Sequence, residues 1–152
     1  MNNGWKNKFW SDRVLKTVIL KSLPKGQRGI TKVYFVEDLG NTPAKCLRST
    51  GECWISLKHW RKLKFEHKVF ILLHENEHIL QDTSDELAVD REAHKKYMAM
   101  GYSLKQSIEA LTKVLTYTTK EHDKRTIEQM IRATVYDVTV NGNKELETYL
   151  KN

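Results

Sequence analysis

Two histidines and a glutamate near the middle of the chain have the types and spacing of a metal site. His74, Glu75 and His78 form the pattern H-E-x-x-H in a stretch whose pattern is helical. Residues four apart lie one turn above each other on one helix face, so both imidazoles can reach one tetrahedral metal ion. Glu75 lies beside them and can accept a proton from a water that the metal activates. The spacing therefore predicts metal-assisted chemistry.

Two acidic residues downstream supply what the first pattern lacks. A catalytic zinc takes a third protein ligand and keeps a fourth position open for water. Glu86 and Asp90 follow a short turn and are four positions apart, so their carboxylates share one face of a new helix. One of them can bind the metal while the other accepts the distal N–H of a ligand histidine and fixes its tautomer.

The apolar run before the motif, the motif itself and the acidic helix after it resemble a known family. In that family, the gluzincin branch of the zincin metallopeptidases, a helix with the pattern E-x-x-x-D follows H-E-x-x-H. Short metallopeptidases encoded by bacteria and their phages are particularly similar, and the resemblance covers about residues 54–115. The matching segments are Phe70-Ile71-Leu72-Leu73-His74-Glu75-x-x-His78 and Glu86-x-x-x-Asp90-Arg91-x-x-Ala93.

The resemblance implies a role for each residue of the pattern. It implies His74, His78 and Glu86 as zinc ligands, Glu75 as general base, and Asp90 as the partner of a ligand histidine. It also implies that the strand over residues 53–57 is the edge strand that holds an extended peptide by backbone pairing.

Two features depart from the family pattern. Glu77 stands where the family usually has a small residue, often glycine, and its carboxylate either perturbs the site or points to solvent. The gap from His78 to Glu86 is short compared with the larger gluzincins. If the second helix does not fold back, the substitute ligand is Asp82, Asp85 or His94. Residues of the types that stabilise an oxyanion also occur downstream. They are His94, Tyr97 and Tyr102.

The elements that must position these residues follow from apolar periodicity and turn formers. Helices are predicted over residues 8–22, over 58–80 with a break near 64–66, over 85–100 with Ser84 as N-cap, from Ser103 onward, and over 120–135. Strands are predicted over 30–36 and 53–57, with a loop over 41–51. These elements predict an α+β fold, a minimal zincin-like domain with a small strand layer followed by a helical bundle. We expect one domain over 1–152, with the core motif region at 54–115 and a helical C-terminal part at 103–152.

Composition restricts the other function classes. The chain has 152 residues, a formal net charge of +7 and two cysteines, Cys46 and Cys53, expected as free thiols. No apolar run reaches the roughly 18 residues of a membrane span, and the N-terminus lacks the pattern of a signal peptide. We therefore expect a cytoplasmic protein, or a virion-associated one if phages encode it. A block of basic residues at 58–68 is either a solvated helix face or a surface for an acidic partner or nucleic acid.

These observations predict a zinc-dependent metallopeptidase that acts on a peptide or protein substrate, with Glu75 as general base. The alternative is a zincin-like structural protein with weak or no catalysis, such as a phage virion component assembled into a larger complex.

Overall fold

The computed structural model describes residues 29–40, 42–114, 120–142 and 145. A three-stranded sheet precedes the helices, so the predicted α+β class is confirmed. The helix predicted over residues 8–22 lies outside the described residues. The strands are β1 (Lys32–Val36), β2 (Ala44–Leu47) and β3 (Glu52–Ser56). The helices are α1 (Leu57–Trp60), α2 (Phe65–Gln81), α3 (Glu86–Ala99), α4 (Leu104–Val114) and α5 (Lys120–Tyr136), which continues as a π-helical turn, Asp137–Asn141.

The sheet has the order β1-β3-β2, with β1 parallel and β2 antiparallel to the central strand. The loop predicted over residues 41–51 was therefore wrong, since it contains β2. This strand has the sequence Ala-Lys-Cys-Leu, and alanine and lysine are depleted in strands. The hairpin turn after β2, rather than strand propensity, holds this strand against β3. In the turn, Gly51 adopts a φ of 79° and donates its N–H to the carbonyl of Leu47 at 2.9 Å.

The order of the strands also corrects the predicted edge. The strand over residues 53–57 was expected at the edge of the sheet, but β3 lies in the centre, paired on both sides. Its Cys53 and Ile55 are fully buried, as a central strand requires. The edge strand next to α2 is β2, and Ala44 and Cys46 pack against the same core as that helix.

Helix α2 is the buried centre of the fold. Every residue from Val69 to Ile79 is buried, including all five positions of the motif. The helix ends at Asp82, which adopts a left-handed conformation with φ 48°, and the N–H of Thr83 returns to the carbonyl of His78 at 3.2 Å. This reversal folds α3 back along α2.

The N-cap of α3 differs from the predicted residue, whereas that of α4 agrees with the prediction. Ser84 was predicted to cap α3, but Asp85 is the N-cap and accepts the N–H groups of Leu87 and Ala88. Ser103 caps α4 as predicted. Its hydroxyl accepts the N–H of Gln106 at 3.0 Å, and the Gln106 side chain accepts the N–H of Ser103 at 2.9 Å.

Candidate metal centre

The two histidines of the motif point their Nε2 atoms at one another, 3.1 Å apart. The other ring nitrogen of each has an acceptor. His74 Nδ1 lies 2.9 Å from Oδ1 of Asp90, and His78 Nδ1 lies 2.8 Å from the carbonyl oxygen of Thr83. A carbonyl or carboxylate oxygen only accepts, so each Nδ1 carries a proton, and the ring in its neutral form presents the lone pair of Nε2. This is the tautomer that binds a metal through Nε2.

Glu86 completes the cluster from the first turn of α3. Its Oε2 lies 2.9 Å from Nε2 of His74, and its Oε1 lies 3.2 Å from Nε2 of His78. A zinc ion bound at about 2.0–2.1 Å by a tetrahedral site holds its ligand atoms roughly 3.3 Å apart. The three side chains that the family resemblance implied as ligands, His74, His78 and Glu86, therefore lie close enough to hold one metal ion.

The three alternative ligands, Asp82, Asp85 and His94, have other partners. Asp82 is exposed at the end of α2, where its carboxylate lies 3.6 Å from Arg48, and Asp85 caps α3. His94 is buried, with Nδ1 2.8 Å from the hydroxyl of Ser107. Asp82, the left-handed residue at the end of α2, reverses the chain within four residues. The short gap between His78 and Glu86 is therefore long enough to bring Glu86 to the histidines.

Asp90 holds the first histidine as predicted, and it is itself held by a residue that sequence reasoning missed. Arg125, from α5, donates from Nε to Oδ2 of Asp90 at 2.6 Å and from Nη2 to Oδ1 at 2.8 Å. The same Nη2 lies 3.1 Å from Oε2 of Glu86. The run 120–125 was predicted to be an exposed helix start, but Arg125 is only 5% exposed.

A pattern in the sequence of α5 does point to Arg125. Polar and small residues recur every four positions along the buried face of this helix and its π-helical turn, while apolar residues of the same segment are exposed. The buried residues are Arg125, Gln129, Ala133 and Asp137, and the exposed ones are Ile127, Met130, Ile131, Val135, Val138 and Val140. A polar stripe at helical spacing next to an acidic helix thus indicates a buried network.

The Glu77 side chain does not point to solvent, and its contacts lie outside the cluster of His74, His78 and Glu86. It is 3% exposed, and its Oε1 binds the ammonium group of Lys96 on α3. Its Oε2 accepts a hydrogen bond from Nε2 of Gln81 at 3.0 Å. The expectation that Glu77 points to solvent was therefore wrong. The carboxylate is neutralised in an ion pair between α2 and α3, which removes the reason to expect that it perturbs the site.

Glu75 is 6% exposed and lies under the edge strand β2. Its neighbour there is Cys46. Burial, the negative charge of Glu75 and a hydrogen bond between the two side chains raise the pKa of the Cys46 thiol. The thiol thus stays protonated and donates to the carboxylate. Cys46 faces Cys53 across the β2–β3 pair, and both are free, as predicted.

The three oxyanion candidates make their contacts with residues outside the cluster. His94 bonds to Ser107, and Gln129 lies 3.2 Å from the same Nδ1. The hydroxyl of Tyr97 donates to the carbonyl of Glu66, at the opposite end of α2 from His78. Tyr102 stacks on Tyr97 with ring centroids 4.2 Å apart. These residues pack the helices together.

The charges of the cluster make metal binding dependent on pH. Burial lowers the pKa of His74, but its hydrogen bonds to Asp90 and Glu86 outweigh burial and raise that pKa to about 10. Burial is likewise outweighed at His78, whose pKa is raised by Glu86. A histidine binds a metal as the neutral ring, and a carboxyl group binds it as the carboxylate. A metal ion that binds here at neutral pH would therefore displace at least one proton, the one on Nε2 of His74.

We expect zinc affinity to rise with pH, by about tenfold per pH unit for each proton displaced. The sign follows from His74, whose proton is bound below its raised pKa and competes with the metal more strongly as the pH falls. Calorimetric titration with zinc at about pH 6, 7 and 8, in buffers of different ionisation enthalpy, measures both the affinity and the protons released. An affinity that is constant over this range would contradict the assignment of the cluster.

No protein-family model matches the chain, and no curated protein or solved structure is similar to it at a significant level. Among the helices of the described residues, none is both long enough and apolar enough to cross a membrane.

Proposed function

We propose that this protein is a zinc-dependent metallopeptidase of the gluzincin type. The observation that carries the proposal is the convergence of two histidine Nε2 atoms and one carboxylate within 3.2 Å of each other, with both Nδ1 atoms occupied by acceptors. Three lone-pair groups placed this closely need a cation or extra protons between them. Two imidazoles and one carboxylate are also the donor set of catalytic zinc sites, which keep a fourth position open.

Zinc, when bound there, supplies Lewis-acid chemistry that polarises a carbonyl and acidifies water. The residues of this chain then have distinct tasks. Glu75 accepts the proton of the attacking water and passes it to the leaving amine. The Asp90 carboxylate keeps His74 in its tautomer, and the Thr83 carbonyl does the same for His78.

The edge strand β2 is the element that best fits an extended peptide. Ala44–Leu47 pairs with β3 on one side and lies against α2 near Glu75. An extended peptide can add to such an edge by backbone hydrogen bonds, which brings its carbonyl groups past the base. The substrate class is therefore an extended peptide or an unfolded protein segment.

A second candidate function is a zincin-like assembly protein, in which the metal stabilises the fold without catalysis. The exposed apolar residues of α5 and the turn after it favour this function. Six of them are 40–61% exposed, and such surfaces often mark protein–protein contacts. The exposed residues do not argue against peptidase activity, because they are on the surface whereas Arg125, which contacts the site, is buried.

Metal analysis of the purified protein, paired with a cleavage assay on unfolded protein substrates, tests the proposal. We expect one zinc per chain and cleavage that stops when a chelator removes the metal and resumes when zinc is restored. Stoichiometric zinc without cleavage would favour the assembly protein. Protein that was never exposed to chelator and holds no metal, even after incubation with zinc, would contradict both functions.

A further inference from the structure

Arg125 joins the two acidic residues of α3 through one guanidinium group. It donates two hydrogen bonds to the Asp90 carboxylate, from Nε at 2.6 Å and from Nη2 at 2.8 Å. Its Nη2 also lies 3.1 Å from Oε2 of Glu86. Arg125 is 5% exposed and Asp90 is fully buried. A charge in such a position requires compensation, and two carboxylates provide it.

Charge alone does not explain why an arginine lies next to a metal site. A cation next to a metal site repels the metal, so a guanidinium here opposes binding by simple Coulomb interaction. A planar group with donors in a fixed fork instead determines the orientation of the carboxylates it contacts. Its helix, α5, also lies outside the segment 54–115 that carries the motif, so it is an independent support for α3.

Glu86 has two oxygens near the histidines, and each is a candidate ligand atom. Oε2 lies 2.9 Å from His74 Nε2, and Oε1 lies 3.2 Å from His78 Nε2. A carboxylate that binds through both oxygens fills two coordination positions of a metal, whereas a catalytic site needs one position open. The N–H of Arg125 engages a lone pair of Oε2 and reduces its capacity to bind a second atom.

We propose that Arg125 is a positioning residue that restricts Glu86 to a single metal bond and fixes Asp90 against His74. This inference rests on the proposed metal centre. Arg125 contacts the two carboxylates and acts on the site through them. Without the guanidinium, Glu86 is free to rotate and to bind through both oxygens, and Asp90 holds His74 less firmly.

Cobalt(II) tests this inference, since the intensity of its visible absorption reports the coordination number and does not depend on catalysis. We expect Arg125→Met to weaken the visible bands of the cobalt-loaded protein, as an added ligand does, and to lower zinc affinity by about 10–100-fold. Arg125→Lys keeps the charge but loses the fork, and it should shift both readouts in the same direction. It serves as the second variant should Arg125→Met fail to fold, which circular dichroism reports.

Arg132→Met is the matched control. Arg132 lies on the same helix and its side chain is 16% exposed, but its hydrogen bonds go to Glu128 and Gln129. We expect it to leave the cobalt spectrum and the zinc affinity unchanged. A wild-type spectrum and affinity in both Arg125 variants would overturn this inference alone. A wild-type protein that binds neither cobalt nor zinc would overturn the metal centre itself, a separate result.

Discussion

Replacing Glu75 by glutamine is expected to leave zinc bound and to lower kcat/KM for peptide cleavage by about 10²–10⁴-fold. Glutamine has nearly the same shape as glutamate, so the buried position beside Cys46 stays filled. Its amide cannot accept the proton of water, and this proton transfer is what the variant removes. The ligands His74, His78 and Glu86 are untouched, which is why zinc content is expected to remain at the wild-type value.

Glu77→Gln is the matched control for this variant. Glu77 lies on the same helix and is also buried, but it pairs with Lys96 and Gln81 rather than facing the cluster. We expect it to keep its zinc and its kcat/KM. It leaves Lys96 without its charge partner, and because this lysine is partly exposed we expect a loss of stability of about 1–3 kcal/mol. Cleavage by Glu75→Gln at the wild-type rate would exclude Glu75 as the general base.

The helical part of the site could be predicted because it depends on local spacing. The i, i+4 relation places His74 above His78, and it places Glu86 and Asp90 on one face. Whether the second helix folds back depends on the residue that ends α2. Asp82 adopts the left-handed conformation there, which asparagine, aspartate and glycine tolerate best. Spacing alone does not specify this conformation, and so Asp82, Asp85 and His94 remained open as ligands.

The parts that the sequence did not predict depend on distant contacts. The strand β2 has weak strand propensity and exists because β3 and the turn at Gly51 hold it. The polar stripe of α5 indicates that Arg125 is buried, but no local pattern identifies its partner Asp90, which lies 35 positions away. Glu77 was misjudged for the same reason, since its partner Lys96 is 19 positions away. In each case a residue or segment that looks exposed or irregular by local pattern is fixed by a different element of the fold that packs against it.

Glu86→Gln is expected to lower zinc affinity by more than about 100-fold. Loss of an outer partner of a metal site already costs roughly 10–100-fold, and this change removes the negative charge of a ligand itself. It also weakens the contacts of Oε1 and Oε2 with His78 and His74. Competition with a zinc-binding dye measures the affinity, and circular dichroism confirms that the metal-free variant is folded.

Asp82→Asn separates the two ways in which the chain could supply its third ligand. Asparagine adopts the left-handed conformation as readily as aspartate, so the turn between α2 and α3 is preserved while the charge is removed. The Asp82 carboxylate is 83% exposed and its charge partner is Arg48, so we expect the zinc affinity of this variant to equal that of the wild type. Loss of zinc from Asp82→Asn together with retention by Glu86→Gln would instead place the third ligand at the end of α2. The left-handed turn would then serve to present Asp82, rather than to return α3 to the histidines.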